Sequence, residues 1–168
     1  MPVPDLFRDG MARGWKTLNG AQLDHDLILD ADVAIIGSGA GGGTTAEILS
    51  AAGLKVLLIE EGPLKTSSDF KMLEDEAYAS LYQEGIGRMS KDGAVSILQG
   101  RAVGGTTLVN WTSSFRTPAP TLEQWAREHA VVGHDSEQMA PWFERMEQRL
   151  GVAPWLIPPN ANNQVLQT

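Results

Sequence analysis

Residues 32–62 read DVAIIGSGAGGGTTAEILSAAGLKVLLIEEG, and this stretch decides the fold. A short apolar strand, Val33 to Ile36, runs into Gly37-Ser38-Gly39-Ala40-Gly41-Gly42. A helical pattern follows, then Gly53, a second apolar strand from Val56 to Ile59, and an acid, Glu60. A bare G-x-G-x-x-G is a weak signal, because glycine-rich turns are common. Strand, glycine turn, helix, strand and acid in that order are the dinucleotide-binding fingerprint in its required context. Gly37 suits the tight turn out of the strand, Gly39 lets the backbone approach a pyrophosphate, and Gly42 lets the helix pack closely on the strand. The start of the helix offers unpaired N–H groups and a positive dipole end that favour phosphate. Thr45, Leu49 and Ala52 recur at helical spacing and Gly53 is placed to cap the C-terminus.

Glu60 lies 18 residues after Gly42, close to the roughly 20-residue offset of the acid that accepts hydrogen bonds from ribose hydroxyls. Each such charge-assisted bond contributes about 1.5–3 kcal/mol. A carboxylate there repels a 2′-phosphate, which argues against NADP and leaves FAD and NAD open. Glu61 reads as a solvated neighbour. The second strand is apolar throughout, as expected of a parallel strand buried on both faces.

The 168 residues suffice for one domain with a core. A net charge of −8 argues against nucleic acid, which rewards basic surfaces, and disfavours an anionic membrane surface. No apolar run approaches the length of a membrane span. MPVPDLFRDG has neither a basic n-region nor an apolar h-region, so a cytoplasmic protein is expected. The absence of cysteine excludes disulfides, thiolate catalysis and Cys-based metal sites. His25, His129 and His134 are scattered without metal-ligand spacing, so no metal site is expected.

Along the chain, residues 1–30 form an N-terminal preamble, with Leu23, Leu27, Ile28 and Leu29 as candidates to pack on the core. Residues 31–151 are assigned to a dinucleotide-binding domain. Within it, Phe70 to Tyr82 has helical character. Thr121-Leu-Glu-Gln124 and Asp135-Ser-Glu-Gln138 each read as a capping box opening a helix. Pro141 would sit inside the second helix, which then starts later or bends there. Trp142, Phe143, Met146 and Leu150 form its apolar face and Gly151 ends it. Residues 152–168, rich in Pro and Asn, are expected to be an extended tail. The fold class is α/β: a Rossmann-like βαβ core with an incomplete sheet, followed by an α-helical pair.

A second motif is Gly100-Arg-Ala-Val-Gly-Gly-Thr-Thr-Leu-Val-Asn110. Gly104-Gly105 permits close backbone approach, Thr106 and Thr107 supply hydroxyls, and Asn110 both donates and accepts. Alone it is equally a tight structural turn. Together the two motifs resemble the glucose-methanol-choline (GMC) family of FAD-dependent oxidoreductases. GSGAGGGTTAEILSAAGLKVLLIEEGP is similar to that family's N-terminal FAD motif. GRAVGGTTLVN is similar to its first signature, a GG[ST][ST]-x-x-N core after a Gly-Arg or Gly-Lys pair. PWFERMEQRLG and PPNANN also resemble segments that follow in bacterial members.

The resemblance covers residues 31–168 and implies a fold of the FAD type. It implies that Gly37, Gly39, Ala40 and Gly42 meet the FAD pyrophosphate and Glu60 the adenosine ribose. Arg101, Gly104, Gly105, Thr106 and Asn110 would lie near the pyrophosphate and flavin ring. It implies oxidation of CH–OH groups of alcohols or sugars by hydride transfer to flavin N5. The sequence departs from the signature where Phe115 follows Asn110 after four residues instead of three, and where Trp111 replaces a common Gly. Some members link the flavin to a histidine just before the GG motif; Ser96-Ile-Leu-Gln-Gly100 has none, so non-covalent FAD is expected.

Members of the family are much longer than this chain and carry a catalytic His, with a second His or Asn, near the C-terminus. No stretch here matches that region, so no catalytic residue is assigned. The sheet agrees, because two apolar parallel strands need neighbours and covering helices that are not evident. Left alone they expose apolar surface and unpaired edges. A missing C-terminal half of the same enzyme is the expected partner, beside a small alcohol or sugar substrate. An NAD-dependent dehydrogenase and a non-catalytic fragment are the competing readings; the GGTTLVN segment argues against the first.

Overall fold

The structure, a computed structural model, describes residues 4–154 together with 158, 160 and 165. It divides into two compact units, Met1–Trp111 and Thr112–Thr168.

In the first unit, helix α1 (Leu6–Ala12) is capped by Asp5, whose side chain accepts from the Arg8 N–H. The same carboxylate reaches across the chain to accept from Thr66 Oγ1, Ser68 N–H and Ser68 Oγ at 2.6, 3.0 and 2.6 Å. Arg8 answers by donating to Asp69 at 3.0 Å. The preamble is therefore attached through polar groups. Leu23, Leu27, Ile28 and Leu29, expected to pack on the core, are all exposed. Residues 23–29 form neither helix nor strand, so they present no regular face to bury.

Strands β1 (Val33–Ile36) and β2 (Val56–Ile59) pair in parallel, Val33 with Val56 through Ile36 with Ile59, at the bounds read from the sequence. Helix α2 (Ala40–Ala51) makes the crossover. The ladder is prolonged by Asp32 N–H to Lys55 O and by Gly37 N–H to Ile59 O, at 2.9 and 2.7 Å. Gly53 follows the helix with φ +89, the left-handed conformation expected of its cap. Burial on both faces does not follow: Ile36 is 78% exposed, and Leu58 and Ile59 are also exposed. Among the described residues the sheet has these two strands alone, so no further strand pairs with either edge.

Helix α3 (Glu74–Leu81) occupies the C-terminal part of the stretch read as helical, Phe70 to Tyr82. Its end pairs with the segment entering the second glycine motif. Arg101 N–H donates to Leu81 O and Gln83 N–H to Gln99 O, around an antiparallel bridge of Tyr82 with Gly100. Leu81 and Ala102 are buried there. A 3-10 turn at Gly105–Leu108 completes the motif.

The second unit holds α4 (Ala119–His129) and α5 (Ser136–Leu150). Helix α4 begins two residues before the predicted capping box at Thr121, with Pro118 as its N-cap. Pro120 explains the shift, since its fixed φ is pre-organised for a first helical turn. Asp135 caps α5 as predicted, accepting from Gln138 N–H at 2.8 Å, and Gly151 ends it at φ +66. Pro141 is accommodated within α5. Phe143 and Met146 are half-buried, while Trp142 and Leu150 are exposed, so the predicted apolar face is covered only in part. Arg116 donates twice to Glu147, at 2.7 Å each, with its guanidinium 5.9 Å from the Phe143 ring centre. The predicted tail, 152–168, falls mostly outside the described residues.

Candidate functional site

The strand-to-helix turn at Gly37–Gly39 and the second glycine motif meet in the first unit. A Cβ placed on Gly105 would lie 2.8 Å from Gly39 Cα, so the two backbones touch. Together they line a cleft of about 470 Å3. Its lining comprises Ile36, Gly37 and Gly39 from the first turn, Ile59, Glu60 and Glu61 from the end of β2, and Gln83, Gln99, Gly100, Gly105 and Thr106. The volume is within the range of ligand pockets, about 300–1,000 Å3.

The second motif is held from two sides. Val103 N–H donates to Pro63 O at 3.1 Å, and Gly62 is so close that a Cβ there would meet Ala102 N at 2.4 Å. Gly104 N–H donates to Ser38 Oγ at 3.0 Å. Inside the motif, Thr106 Oγ1 accepts from Gly100 N–H and Thr107 Oγ1 donates to Gly104 O.

Glu60 accepts from Ser38 N–H at 2.8 Å and Ser38 Oγ at 2.6 Å on one oxygen, and from Gly62 N–H at 2.8 Å on the other. Burial works against its ionisation, but the bonds from Ser38, Gly62 and the Glu61 amide outweigh it and hold the carboxyl below its ordinary value. The acid therefore braces the first loop besides facing the cleft. Sequence reading treated it as a ribose acceptor and passed over Ser38. The only signal for Ser38 was its place between two glycines, where a hydroxyl is next to two bare backbones.

Of the residues singled out beforehand, Gly37, Gly39, Glu60, Gly105 and Thr106 line the cleft. Ala40 and Gly42 lie in the first turn of α2, where a Cβ on Gly42 would be 1.9 Å from Gly37 O. Gly104 adopts φ +103 beside the first loop. Arg101 and Asn110 are not among the lining residues. Arg101 Nε is 3.5 Å from Glu61, which also accepts from Gln83 Nε2 at 2.6 Å. Glu61 is thus exposed yet engaged, where a merely solvated side chain was expected. Among the described residues no group of His, Cys, Asp and Glu could hold a metal ion. Nor is any helix long and apolar enough to cross a membrane.

A family model described as GMC oxidoreductase matches residues 78–168. A long-chain-alcohol oxidase of Arabidopsis thaliana, FAO4B, is 37% identical over 90% of this chain and 21% of its own length. An uncharacterized GMC-type oxidoreductase of Mycobacterium tuberculosis, Rv0492c, is 38% identical over 78% of this chain and 21% of its own length. The chain spans about a fifth of the length of these relatives. Among solved structures, pyridoxine 4-oxidase from Mesorbium loti aligns with a TM-score of 0.50 at 22% identity. That alignment covers 67% of this chain and 24% of the solved one, a likeness of fold.

Proposed function

The chain belongs to the GMC oxidoreductase family, and from that premise we propose that it is the FAD-binding N-terminal portion of an enzyme oxidising CH–OH groups of alcohols or sugars. The observation that carries this reading is the single cleft shared by two glycine loops about sixty residues apart in sequence. One loop would suit any dinucleotide; two converging loops suit a ligand gripped along its length.

The residues fit FAD on three counts. Gly39 has φ −63, a conformation open to any residue, and a Cβ there would meet nothing of the chain within 4 Å. No demand of the fold explains a glycine at that position; close approach of a ligand does. The α2 N-terminus carries no side-chain cap, so its first N–H groups are left to an anion. Glu60, ionised and oriented, supplies the charge that suits ribose hydroxyls and repels a 2′-phosphate.

In this reading Gly37, Gly39, Ala40 and Gly42 hold the pyrophosphate, and Glu60 the adenosine ribose. Arg101, Gly104, Gly105, Thr106 and Asn110 serve the second loop. The chemistry FAD supplies when bound is acceptance of the hydride removed from a CH–OH carbon. This chain's part is to bind, orient and shield. No histidine lines the cleft, and in this reading the general base and most of the substrate pocket are supplied by the rest of the enzyme. The name of the Arabidopsis relative favours an alcohol over a sugar.

The test is gel filtration of the purified chain with FAD, followed by visible absorbance. Flavin absorbance should co-elute with protein and be released into the supernatant by acid denaturation, as non-covalent binding requires. Retention of NAD in place of FAD would overturn the reading in favour of a nicotinamide enzyme.

A further inference from the structure

We infer that Ser38, which occupies no glycine position of the fingerprint, is the joint that makes the two loops one cradle, and so is a positioning residue for the dinucleotide. The ligand in this statement rests on the flavin reading above; the joint does not.

Ser38 is one of two buried polar residues among those described, 6% exposed. Its hydroxyl faces groups whose roles are fixed by chemistry. The Gly104 N–H can only donate, and the ionised Glu60 oxygen can only accept. The hydroxyl therefore accepts from Gly104 at 3.0 Å and donates to Glu60 at 2.6 Å. The result is a directed chain from a backbone amide in the second loop, through one hydroxyl, to the acid at the end of β2. A carboxylate at its terminus strengthens the bond it receives.

Nothing else described between the loops has this directionality. Gly105 and Gly39 touch as bare backbone, a contact that resists approach but not sliding. The Val103–Pro63 bond ties the second motif to the exit of β2, not to the glycine turn. Gly104 adopts φ +103 and donates its N–H to Ser38. Removing the hydroxyl leaves that amide without its acceptor and Glu60 short of a donor, while the Ser38 N–H to Glu60 bond survives.

The experiment compares wild type, Ser38→Ala and Ser38→Cys in the 168-residue chain by residue-resolved amide hydrogen exchange and by the rate of FAD release. Cys keeps the shape and weakens both hydrogen bonds, so it stands in should the alanine variant fail to fold. Gly104 exchange should accelerate about tenfold or more, with the Gly37 amide, held by Ile59 O, unchanged as the internal reference. FAD release should accelerate by about the same factor. Unchanged Gly104 exchange overturns the joint even where wild type holds FAD. Faster exchange with unaltered FAD release overturns the positioning role. A wild type that never binds FAD sinks the flavin reading, and the exchange arm still decides the joint.

Discussion

Gly42 and Gly39 are the same residue type answering different demands. At Gly42 a Cβ would sit 1.9 Å from Gly37 O, so the helix must retreat from the strand. Gly42→Ala should destabilise the chain by about 3 kcal/mol or more, read as a lowered urea midpoint. At Gly39 a Cβ meets nothing. Alanine lowers the entropy of the unfolded chain, which stabilises the fold, but is the poorer N-cap, and the two effects roughly offset each other. Gly39→Ala should change stability by less than about 1 kcal/mol yet lose FAD, measured by equilibrium dialysis. A Gly39→Ala protein that binds FAD as wild type does would remove Gly39 from the pyrophosphate site. Glu60 adds a pH arm. Its carboxyl is held below its ordinary value, so its contribution is complete above the unfolded carboxylate range, about 4.3. That contribution is lost as pH falls through the lowered folded value. The gap in urea midpoint between wild type and Glu60→Gln should therefore narrow below pH of about 4. The spacing of glycines and acid was legible because each position answers one local demand. Ser38 was not, because its partner Gly104 is 66 residues away and no local pattern announces it.

Among the elements, α1 is the most conditional. Burial opposes ionisation of Asp5, but bonds from Ser68, Thr66 and Arg8 outweigh it and hold its carboxyl far below the usual range. The Thr66 backbone and side chain, with Arg8, lower Asp69 as well. Both groups gain their partners on folding, so the docking they provide is present above the ordinary carboxylate range and fades in acid. The Ser68 amide, which donates to Asp5, should shift in an NMR titration only well below pH 4. Asp5→Ala should release α1, and trypsin should cut after Arg8 and Arg13 faster than in wild type. An unchanged cleavage rate would show that α1 is held by other means. The two strands were readable to the residue because short apolar runs between polar or glycine residues carry their own ends. The start of α4 was not: a capping-box pattern at Thr121 competed with Pro118 and Pro120, and the prolines won. The preamble leucines misled for a related reason, since apolar residues imply a buried face only where an element presents one.

For the molecule as a whole, the α/β class was legible, as was the shortage of strands. Which apolar residues would be covered was not, because burial depends on neighbours that the local sequence does not name. Among the described residues, only Leu81, Ala102 and Leu122 are buried apolar side chains. Ile36, Trp111, Phe115 and Leu150 are more than half exposed. Two strands with open edges and this much bare apolar surface should associate. The isolated chain should bind a hydrophobic dye and scatter light as oligomers at micromolar concentration. Co-expression with the remainder of the proposed enzyme should suppress both, and a dye-silent monomer would contradict the picture. The bond from Gly104 to Ser38 also carries a consequence for biosynthesis. The ribosome makes the serine first, and at about 5–20 residues per second the amide it awaits follows several seconds later. Through that interval the cleft has one side only, so any ligand that needs both loops binds late, timed by translation itself.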